Sequence, residues 1–406
     1  MKILLVNSLY PPQVIGGAEV SCQKLAIELS KEGHRVFVLT TSDKDYCEEK
    51  DGVSIIYRRF GNIMSFWKFK HSTPLCRIVY KIIDVYNPYN CKVIDRVLSE
   101  IQPDVIHANT IYGITPVLWT CAKRNNIPVV QTVRDYYLMC PKANLMKKEG
   151  NCENPRMLCK LFRAFHRCWG KNVTALTAPS QYTLDCFLEA GYFKNSLSRT
   201  IYNAINCDIE RFERLAKEKL GKKSEITHIA YIGSFIETKG IDVLLEAIQK
   251  APDNMVFHFM GKGRLQKKIE NVRDQGNKII IEGFLDEASL NSVLENMDML
   301  VCPSVWAEPF GRVIIDGYKS CLPVIATNCG GMPELIDDGV TGRIIESFDS
   351  MAIVDAIVDI KKVGITKESI QAMREKLKKF SIEQQGKEFT KLFSETVALY
   401  ERKNNL

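Results

Sequence analysis

Short apolar runs alternate with helical patterns from the first residues onward. Lys2–Asn7 is an apolar run typical of a buried strand, and Ala18–Glu32 repeats apolar residues at helical spacing. Gly33 follows where a helix C-terminal cap belongs, and Arg35–Thr40 is again apolar and β-branched. Because a strand, a helix and a strand in this order form a parallel βαβ unit, this pattern predicts a parallel sheet with helices on both faces.

The alternation runs through two halves of the chain. In the first half it predicts further strands at Val53–Tyr57, Val105–Ala108, Pro128–Val133, Thr174–Ala178 and Arg199–Tyr202. In the second half it predicts strands at His228–Gly233, Met255–Met260, Lys278–Glu282, Met299–Cys302, Pro323–Ala326 and Arg343–Ile345. Helical patterns lie between them, for example at Cys91–Ile101 and Ile111–Arg124, so the fold class is α/β with two doubly wound, Rossmann-like domains.

A polar, highly charged stretch from Asn203 to about Ser224 separates the two halves and has few core residues. We therefore predict an N-terminal domain over residues 1–203, a linker over 204–226 and a C-terminal domain over 227–380. The last segment, 381–406, is predicted to be an amphipathic helix. Ligands of open α/β sheets bind beyond the carboxyl ends of the strands, so we expect the two sheets to face a cleft.

Composition narrows the class of protein. The 406 residues are 46% hydrophobic and 25% charged, which excludes a disordered, collagenous or coiled-coil chain. No apolar run approaches the ~18 residues of a membrane span, and the first apolar run is too short for a signal peptide, so a cytoplasmic protein is expected. Its 14 cysteines are then expected to be free thiols rather than a disulfide framework. The net charge of +7 suits an anionic partner, whether nucleotide, phosphate, nucleic acid or acidic lipid.

Glycine loops follow several predicted strands. Gly16 and Gly17 open the first helix, where backbone N–H groups can approach an anion closely. Gly261, in Gly-Lys-Gly, permits the same close approach, although both loops also fit simple tight turns. Lys239 precedes a helix in a similar loop and can neutralise a phosphate, or can be a solvated lysine.

The stretch Pro303–Asp316 contains two carboxylates eight residues apart, Glu308 and Asp316. Both can accept hydrogen bonds from sugar hydroxyls, and the N–H groups around Phe310 and Gly311 suit a phosphate or a sugar oxygen. The alternative is that Glu308 only favours the helix dipole and Asp316 is solvated.

The ordered set of these motifs resembles the retaining glycosyltransferases of the GT-B fold, glycosyl transferases group 1 and family 4. The set includes a glycine pair with a Glu, a Lys-Gly loop, G-x-G, two carboxylates eight apart and a final G-G-x-x-E at Gly330–Glu334. The resemblance covers nearly the whole chain. It implies a GT-B fold whose C-terminal helix returns to the N-terminal domain. It also implies a metal-independent, hexosyltransferase-type enzyme without a cofactor that moves a sugar from a UDP-sugar or GDP-sugar to a saccharide or lipid-linked acceptor, as in cell-surface polysaccharide synthesis.

The resemblance also implies roles for individual residues. Glu308 matches the carboxylate that faces the donor sugar, and Lys239 matches the basic residue on the donor diphosphate. Phe310 and Gly311 match backbone positions near sugar and phosphate. The Gly16–Gly17 pair matches the N-terminal loop that meets the diphosphate.

Three positions depart from the family pattern. Asp316 stands where a Glu usually binds the ribose, and Ser234 stands where an Arg usually assists the lysine. Arg134 stands where many members have a His; an arginine is always protonated and cannot act as a general base, but it can stabilise a leaving diphosphate or bind an anionic acceptor. These departures keep a second hypothesis open, a non-catalytic two-domain sugar- or nucleotide-binding protein.

Two N-terminal features lie outside the family motifs. Residues Arg58–Lys81 carry six basic and no acidic residues, with large apolar residues between them. This composition favours a patch that rests on an anionic membrane over a solvated basic face, and a lipid-linked acceptor would fit it; nucleic acid is not expected as a partner. Four thiols, Cys140, Cys152, Cys159 and Cys168, could bind zinc, and His166 could equally serve as a ligand, but the spacing favours free cysteines in a helical flap.

Overall fold

The structure is a computed structural model that describes residues 1–69, 72–147, 150–152, 154–222, 224–276, 278–346 and 348–404. The chain divides into two compact units. Unit 1 comprises Met1–Lys147, Cys152–Ala204 and Ile382–Leu406, and unit 2 is formed mainly by Ile205–Ser381. Each unit is built on a mostly or wholly parallel sheet with helices, which confirms the α/β fold class.

The strands of the first sheet are β1 (Lys2–Val6), β2 (Arg35–Thr41), β3 (Tyr46–Lys50), β4 (Val53–Arg58), β5 (Val105–Ala108), β6 (Val129–Thr132), β9 (Ala175–Ala178) and β10 (Leu197–Thr200). A short ribbon pairs β7 (Met146–Lys147) with β8 (Gly150–Asn151). The eight strands are ordered β10-β9-β6-β5-β1-β2-β4-β3. Only β3 is antiparallel to its neighbour. It is an exposed edge strand, so its sequence has no buried face and no apolar alternation by which to predict it.

The helices of unit 1 that precede residue 190 are α1 (Gly17–Lys31), α2 (Phe66–Phe69), α3 (Pro74–Val85), α4 (Cys91–Ile101), α5 (Val117–Arg124), α6 (Met157–Gly170) and α7 (Gln181–Glu189). A 3₁₀ turn, Pro88–Asn90, precedes α4. The first part of the predicted helical pattern 111–124 is not helical: α5 begins only at Val117, after Pro116 and after Thr115, whose φ is +75°.

The second sheet consists of β11 (Thr227–Ile232), β12 (Met255–Met260), β13 (Ile279–Gly283), β14 (Met299–Cys302), β15 (Val324–Thr327) and β16 (Gly342–Ile345). All pairs are parallel, in the order β13-β12-β11-β14-β15-β16. The helices are α8 (Ile209–Lys219), α9 (Ile241–Lys250), α10 (Gln266–Asp274), α11 (Glu287–Glu295), α12 (Arg312–Lys319), α13 (Ser350–Val363) and α14 (Lys367–Lys379). Two 3₁₀ turns lie at Glu237–Lys239 and Pro333–Leu335.

Residues 204–226 differ from the predicted linker because they contain α8. Phe212 and Leu215 on this helix are buried, and the Arg211 guanidinium donates to Glu295 and to the Asn291 carbonyl within unit 2. Charged residues dominate the exposed side of α8, which is why its composition indicated a linker.

The last helix, α15 (Ile382–Asn404), belongs to unit 1 and packs against α1, which confirms that the C-terminal helix returns to the N-terminal domain. Phe389, Leu392 and Phe393 are buried in the core of unit 1. The Phe389 ring lies 4.6 Å from the His107 ring on the central strand β5. Burial of these apolar side chains holds the end of the chain on the first sheet.

Candidate active site

Three donors in unit 2 converge on one carboxylate oxygen. Lys239 Nζ forms an ion pair with Glu308 Oε1, Ser304 Oγ donates to the same oxygen over 2.8 Å, and Trp306 Nε1 donates to it over 3.0 Å. Lys239 Nζ also lies 5.4 Å from the centre of the Trp306 ring.

The close approach of two loops brings these residues together. Lys239 ends a 3₁₀ turn after β11, and Gly240 follows with φ +71° at the start of α9. A Cβ at position 240 would lie 1.7 Å from the Pro303 carbonyl oxygen. Only glycine therefore allows the Lys239 loop to pack against the loop after β14, which carries Ser304 and Glu308.

A cavity of about 170 Å³ opens beside this cluster. Its lining includes Lys239, Ser304, Glu308, Gly311 and Met332. The cavity lies beyond the carboxyl ends of β11 and β14 and next to the N-terminus of α12, the position at which open parallel sheets bind ligands. An anion there would meet the two basic residues of the lining, Lys239 and Arg312, and the N–H groups of a helix start.

The structure places the other residues predicted near Glu308 in different ways. Gly311 is the N-cap of α12 with φ +88°. The Phe310 ring is buried edge-on to Phe380, with ring centres 5.9 Å apart, and Phe310 is not part of the cavity lining. The Asp316 carboxylate accepts a hydrogen bond from Lys319 Nζ over 3.3 Å and is not part of the cavity lining.

Ser234 and Gly261 lie in the loops after β11 and β12. Ser234 is exposed, and its carbonyl accepts a hydrogen bond from the Tyr231 hydroxyl over 3.1 Å. Gly261 packs so closely that an added Cβ would lie 1.9 Å from the Gly233 carbonyl oxygen. Neither residue lines the cavity at Glu308.

In unit 1, Arg134 is held by two asparagines. Its Nε and Nη2 atoms donate to Asn109 Oδ1 over 3.1 and 2.9 Å, and Nη1 donates to Asn203 Oδ1 over 2.5 Å. Burial lowers the pKa of Arg134, while the nearby Cys22 and the Glu19 carboxylate raise it. Glu19 in turn accepts the Gly16 N–H over 3.0 Å, so the Gly16–Gly17 loop and Arg134 flank the same acidic side chain.

A larger cavity of about 480 Å³ lies in unit 1 beyond the carboxyl ends of β2 and β4. Asp43 and Lys68 form an ion pair over 3.0 Å in its lining, and Arg59 adds a second cation. Tyr80 lines it with only 1% of its surface exposed, and its hydroxyl has no hydrogen-bond partner among the described residues. The hydroxyl itself is buried, so the charged side chains of the lining are the groups that a polar ligand would meet.

Only some of the large apolar side chains in the basic segment Arg58–Lys81 are exposed. The Phe66 ring stacks on Tyr112 at 4.7 Å, and the Phe69 ring lies 4.8 Å from Tyr80, whereas Ile63 and Trp67 are exposed. Lys70, another basic residue of the segment, lies outside the described residues. In the part of the chain that the structure describes, no helix combines the length and hydropathy needed to cross a bilayer.

All 14 cysteines are free thiols. Cys140, Cys152 and Cys159 are partly buried and Cys168 is exposed. His166, the histidine near them, is buried, and its ring donates a hydrogen bond to the Phe162 carbonyl within α6. Among the described residues no group of three or more His, Cys, Asp or Glu side chains is arranged to hold a metal ion.

Ser304 and Trp306 were not singled out from the sequence, although they lie in the stretch that contains Glu308. Their spacing of four and two residues before Glu308 carries no periodic signal in a loop. The irregular backbone between β14 and α12 alone turns both donors toward Glu308.

Family models match both halves of the chain: Glycosyltransferase Family 4 over residues 15–209, and Glycosyl transferases group 1 over residues 226–362. A 42.6 kDa protein in the cps region of Klebsiella pneumoniae is 31% identical over 82% of this chain and 87% of that protein. The alpha-monoglucosyldiacylglycerol synthase of Streptococcus pneumoniae is 24% identical over 98% of this chain and 86% of that enzyme. The crystal structure of Anabaena HepE with UDP-glucose superposes with a TM-score of 0.67 at 18% identity, covering 97% of this chain and all of that one.

The two parallel-sheet units, the Lys239–Glu308 cluster and these matches define the class of protein. The chain belongs to the GT-B glycosyltransferases, in the families glycosyl transferases group 1 and family 4.

Proposed function

We propose that this glycosyltransferase moves a hexose from a nucleoside diphosphate sugar to a saccharide or lipid-linked saccharide with the anomeric configuration retained. The observation that carries the proposal is the Lys239–Glu308 cluster at the carboxyl ends of the strands of unit 2. It combines a cation for a diphosphate with a carboxylate that can accept a hydrogen bond from a sugar hydroxyl.

The donor side is assigned to unit 2. Departure of the diphosphate leaves positive charge on the sugar ring and negative charge on the leaving oxygen. Glu308 then faces the sugar, and Lys239 stabilises the diphosphate together with the backbone N–H groups at Phe310 and Gly311. With this arrangement the protein itself supplies the charge opposite the diphosphate, which favours metal-independent transfer.

Binding of a diphosphate changes the partner of Lys239. In the structure its ammonium is bound to Glu308. A diphosphate carries more charge than the carboxylate and draws the ammonium toward itself, while Ser304 and Trp306 keep Glu308 in place. The two supporting donors therefore hold the carboxylate when its cation turns to the donor.

Asp316 is proposed to bind the donor ribose. Its pairing with Lys319 places its carboxylate on the side of α12 that faces α11, where Glu287 also lies 3.8 Å from Lys319. The shorter side chain of aspartate and this competing cation favour a ribose contact bridged by water over a direct one. Ser234 and Gly261 are proposed to border the diphosphate and the base through their backbone.

The acceptor side is assigned to unit 1. The 480 Å³ cavity offers the Asp43–Lys68 pair and Arg59 to a polar ligand, which suits a saccharide that carries a negative charge. Arg134 is proposed to bind an anionic group of the acceptor or the leaving diphosphate, and the Gly16–Gly17 loop to meet the diphosphate through its N–H groups.

The relatives support the same assignment. The HepE structures contain UDP and UDP-glucose, which favours a UDP-sugar over a GDP-sugar as donor. One relative is encoded in a cps region, and another is named for a glycolipid product. We propose a role in cell-surface polysaccharide synthesis at the cytoplasmic face of a membrane, with the basic segment Arg58–Lys81 attracted to anionic lipid.

A two-part experiment tests this function. Thermal unfolding with UDP, GDP and ADP identifies the base, because a ligand of the folded state alone raises the melting temperature. We expect UDP to give the largest shift. The protein is then incubated with UDP-hexoses and a lipid-linked oligosaccharide extract, and the product's anomeric coupling constant is measured by NMR. Nucleotide binding with neither transfer nor donor hydrolysis would indicate the non-catalytic binding protein instead.

A further inference from the structure

Helix α3 carries an apolar stripe that faces outward. Leu75, Ile78, Val79 and Ile82 recur at positions i, i+3, i+4 and i+7, so they share one side of the helix. Leu75 is 70% exposed and Ile82 is 67% exposed. Only Tyr80 of this helix is fully buried. A helix that packs on a core normally buries its apolar stripe, so α3 has the reverse arrangement.

Helix α6 has the same arrangement. Met157, Leu158, Leu161 and Phe165 lie on one side of the helix, and the first two are 77% and 80% exposed. His166 and Gly170, on the opposite side, are its buried residues. The sequence of this segment predicted a helical flap with free cysteines, but not an exposed apolar stripe.

The two helices are neighbours within unit 1. They contact each other, and the Tyr86 ring at the end of α3 stacks on Trp169 near the end of α6 at 4.1 Å. Side chains from both helices also anchor to the loop that follows Tyr137: Lys81 Nζ donates to the Pro141 carbonyl, and Arg163 Nε donates to the Met139 carbonyl. The two outward stripes therefore sit on one supported pair of helices, which we call the α3–α6 face.

Charge indicates what covers this face. Arg77, Arg156, Lys160, Arg167 and Lys171 are exposed on the two helices and their ends. Within the described residues 72–85 and 154–171 the one acidic residue is Asp84, and burial raises its pKa to about 7. Two copies of the chain meeting through this face would bring like charges together, whereas an anionic bilayer is complementary to it.

We propose that the α3–α6 face inserts its apolar stripes into an anionic bilayer, with the basic side chains at the level of the lipid headgroups. Amphipathic helices that lie in a membrane interface combine these same two features. The inference rests on the membrane contact of the proposed function and makes it specific, because it names α3 and α6, rather than the segment Arg58–Lys81 as a whole, as the inserting surface. It would also hold unit 1 next to a lipid-linked acceptor.

Vesicle binding without donor or acceptor tests this face. The full-length protein is sedimented with vesicles of phosphatidylcholine alone or with phosphatidylglycerol added, at low and at high salt. The apolar variant carries Ile78→Gln, Ile82→Gln, Leu158→Gln and Leu161→Gln. Its partition coefficient onto acidic vesicles is expected to fall more than about tenfold, because four apolar side chains that insert into the bilayer are replaced by polar ones.

Two further variants sharpen the result. Val358→Gln with Val363→Gln removes exposed apolar side chains from α13 in unit 2 and is expected to bind vesicles like the wild type. Lys160→Gln with Arg167→Gln is expected to weaken binding to acidic vesicles at low salt only, since high salt screens that attraction in the wild type as well. Unchanged melting temperatures and UDP-induced shifts confirm that each variant is folded.

Wild-type binding by the apolar variant would overturn the proposal, as would no vesicle binding by the wild type. Self-association of the wild type that the apolar variant abolishes, without vesicle binding, would assign the face to a second copy of the chain. Because no sugar transfer is measured, each of these outcomes leaves the transferase proposal to its own test.

Discussion

At the scale of single residues, the pairing of Lys239 with Glu308 determines the chemistry that unit 2 can perform. Each charge is partly shielded from water and compensates the other. Removal of one partner leaves the other uncompensated, and the two should therefore be tested by different readouts. Glu308 is proposed to act on the reacting sugar and Lys239 on the leaving group.

Glu308→Gln keeps the shape of the side chain but removes its charge. We expect the transfer rate to fall by ~10²-fold or more, the range for loss of an electrostatic group aimed at the reacting atoms. The dissociation constant of UDP is expected to stay within a few-fold, since transition-state groups affect rate more than affinity. Initial rates and calorimetry check this, with the exposed Glu287→Gln as control. A variant that retains near-normal turnover would exclude Glu308 from the chemistry.

Lys239→Met should act on nucleotide affinity. Loss of a charged hydrogen bond to the diphosphate is expected to weaken UDP binding by ~1–3 kcal/mol. Uridine, which has no phosphate, should be affected much less. Calorimetric titration with both ligands measures the difference, and Lys267→Met, on the exposed side of α10, is the matched control. Equal UDP affinity in wild type and variant would make Lys239 only a structural partner of Glu308.

Asp84 predicts a pH dependence of stability. Burial raises its pKa to about 7, while the Gly113 N–H and Lys81 act in the opposite direction. The folded state thus holds a proton that the unfolded chain releases near pH ~4. Its stabilising contribution is present at low pH and is lost as the pH rises through about 7.

Asp84→Asn should remove that loss. In urea unfolding, we expect the variant to match the wild type at about pH 4 and to exceed it at about pH 8 by ~3–4 kcal/mol. The exposed Asp355→Asn should retain the pH dependence of the wild type. An Asp84→Asn variant that is equally destabilised at both pH values would indicate that the carboxylate is ionised in the folded protein.

At the scale of elements, the candidate site lies at the beginnings of helices, and glycine residues determine how closely the neighbouring loops can pack. Gly240 and Gly276 both have positive φ, +71° and +93°. A Cβ at 240 would lie 1.7 Å from the Pro303 carbonyl oxygen, whereas a Cβ at 276 would meet nothing within 4 Å. An alanine at position 276 would therefore introduce backbone strain alone, whereas an alanine at position 240 would also introduce a steric clash.

Gly276→Ala is expected to cost only the backbone strain, ~1 kcal/mol. Gly240→Ala must also move the loop after β14, so we expect a larger loss of unfolding free energy, ~3 kcal/mol or more. It should also weaken UDP binding, because the Lys239 and Glu308 loops separate. Chemical denaturation and UDP titration of both variants check this, and equal losses would show that the two loops tolerate separation.

At the scale of the whole molecule, the two units divide the proposed tasks, with the donor on unit 2 and the acceptor and the membrane on unit 1. Hydrogen–deuterium exchange can test this division. We expect UDP to slow exchange in the loops at Gly240, Gly261 and Gly311 of unit 2. Anionic vesicles should instead slow exchange in α3 and α6 of unit 1. Protection of α3 and α6 by UDP alone, with none near Gly311, would contradict the division.

The periodic features of the chain were determined by its local sequence. Apolar runs bounded by loops predicted the strands of both parallel sheets, because a strand buried on both faces must be apolar throughout. The order of glycine, lysine and acidic motifs identified Lys239 and Glu308 as residues of one site. The exposed edge strand β3 and the charged helix α8 were missed, since neither has the apolar pattern on which such predictions rest.

Only the tertiary structure decided which side chains meet. Ser304 and Trp306 reach Glu308 through an irregular loop, and Asp316 turns to Lys319 instead of the cavity. An apolar stripe on a helix has the same sequence whether it faces a core or the outside. The outward direction of the stripes on α3 and α6 therefore depends on how these helices pack within unit 1, which no local pattern encodes.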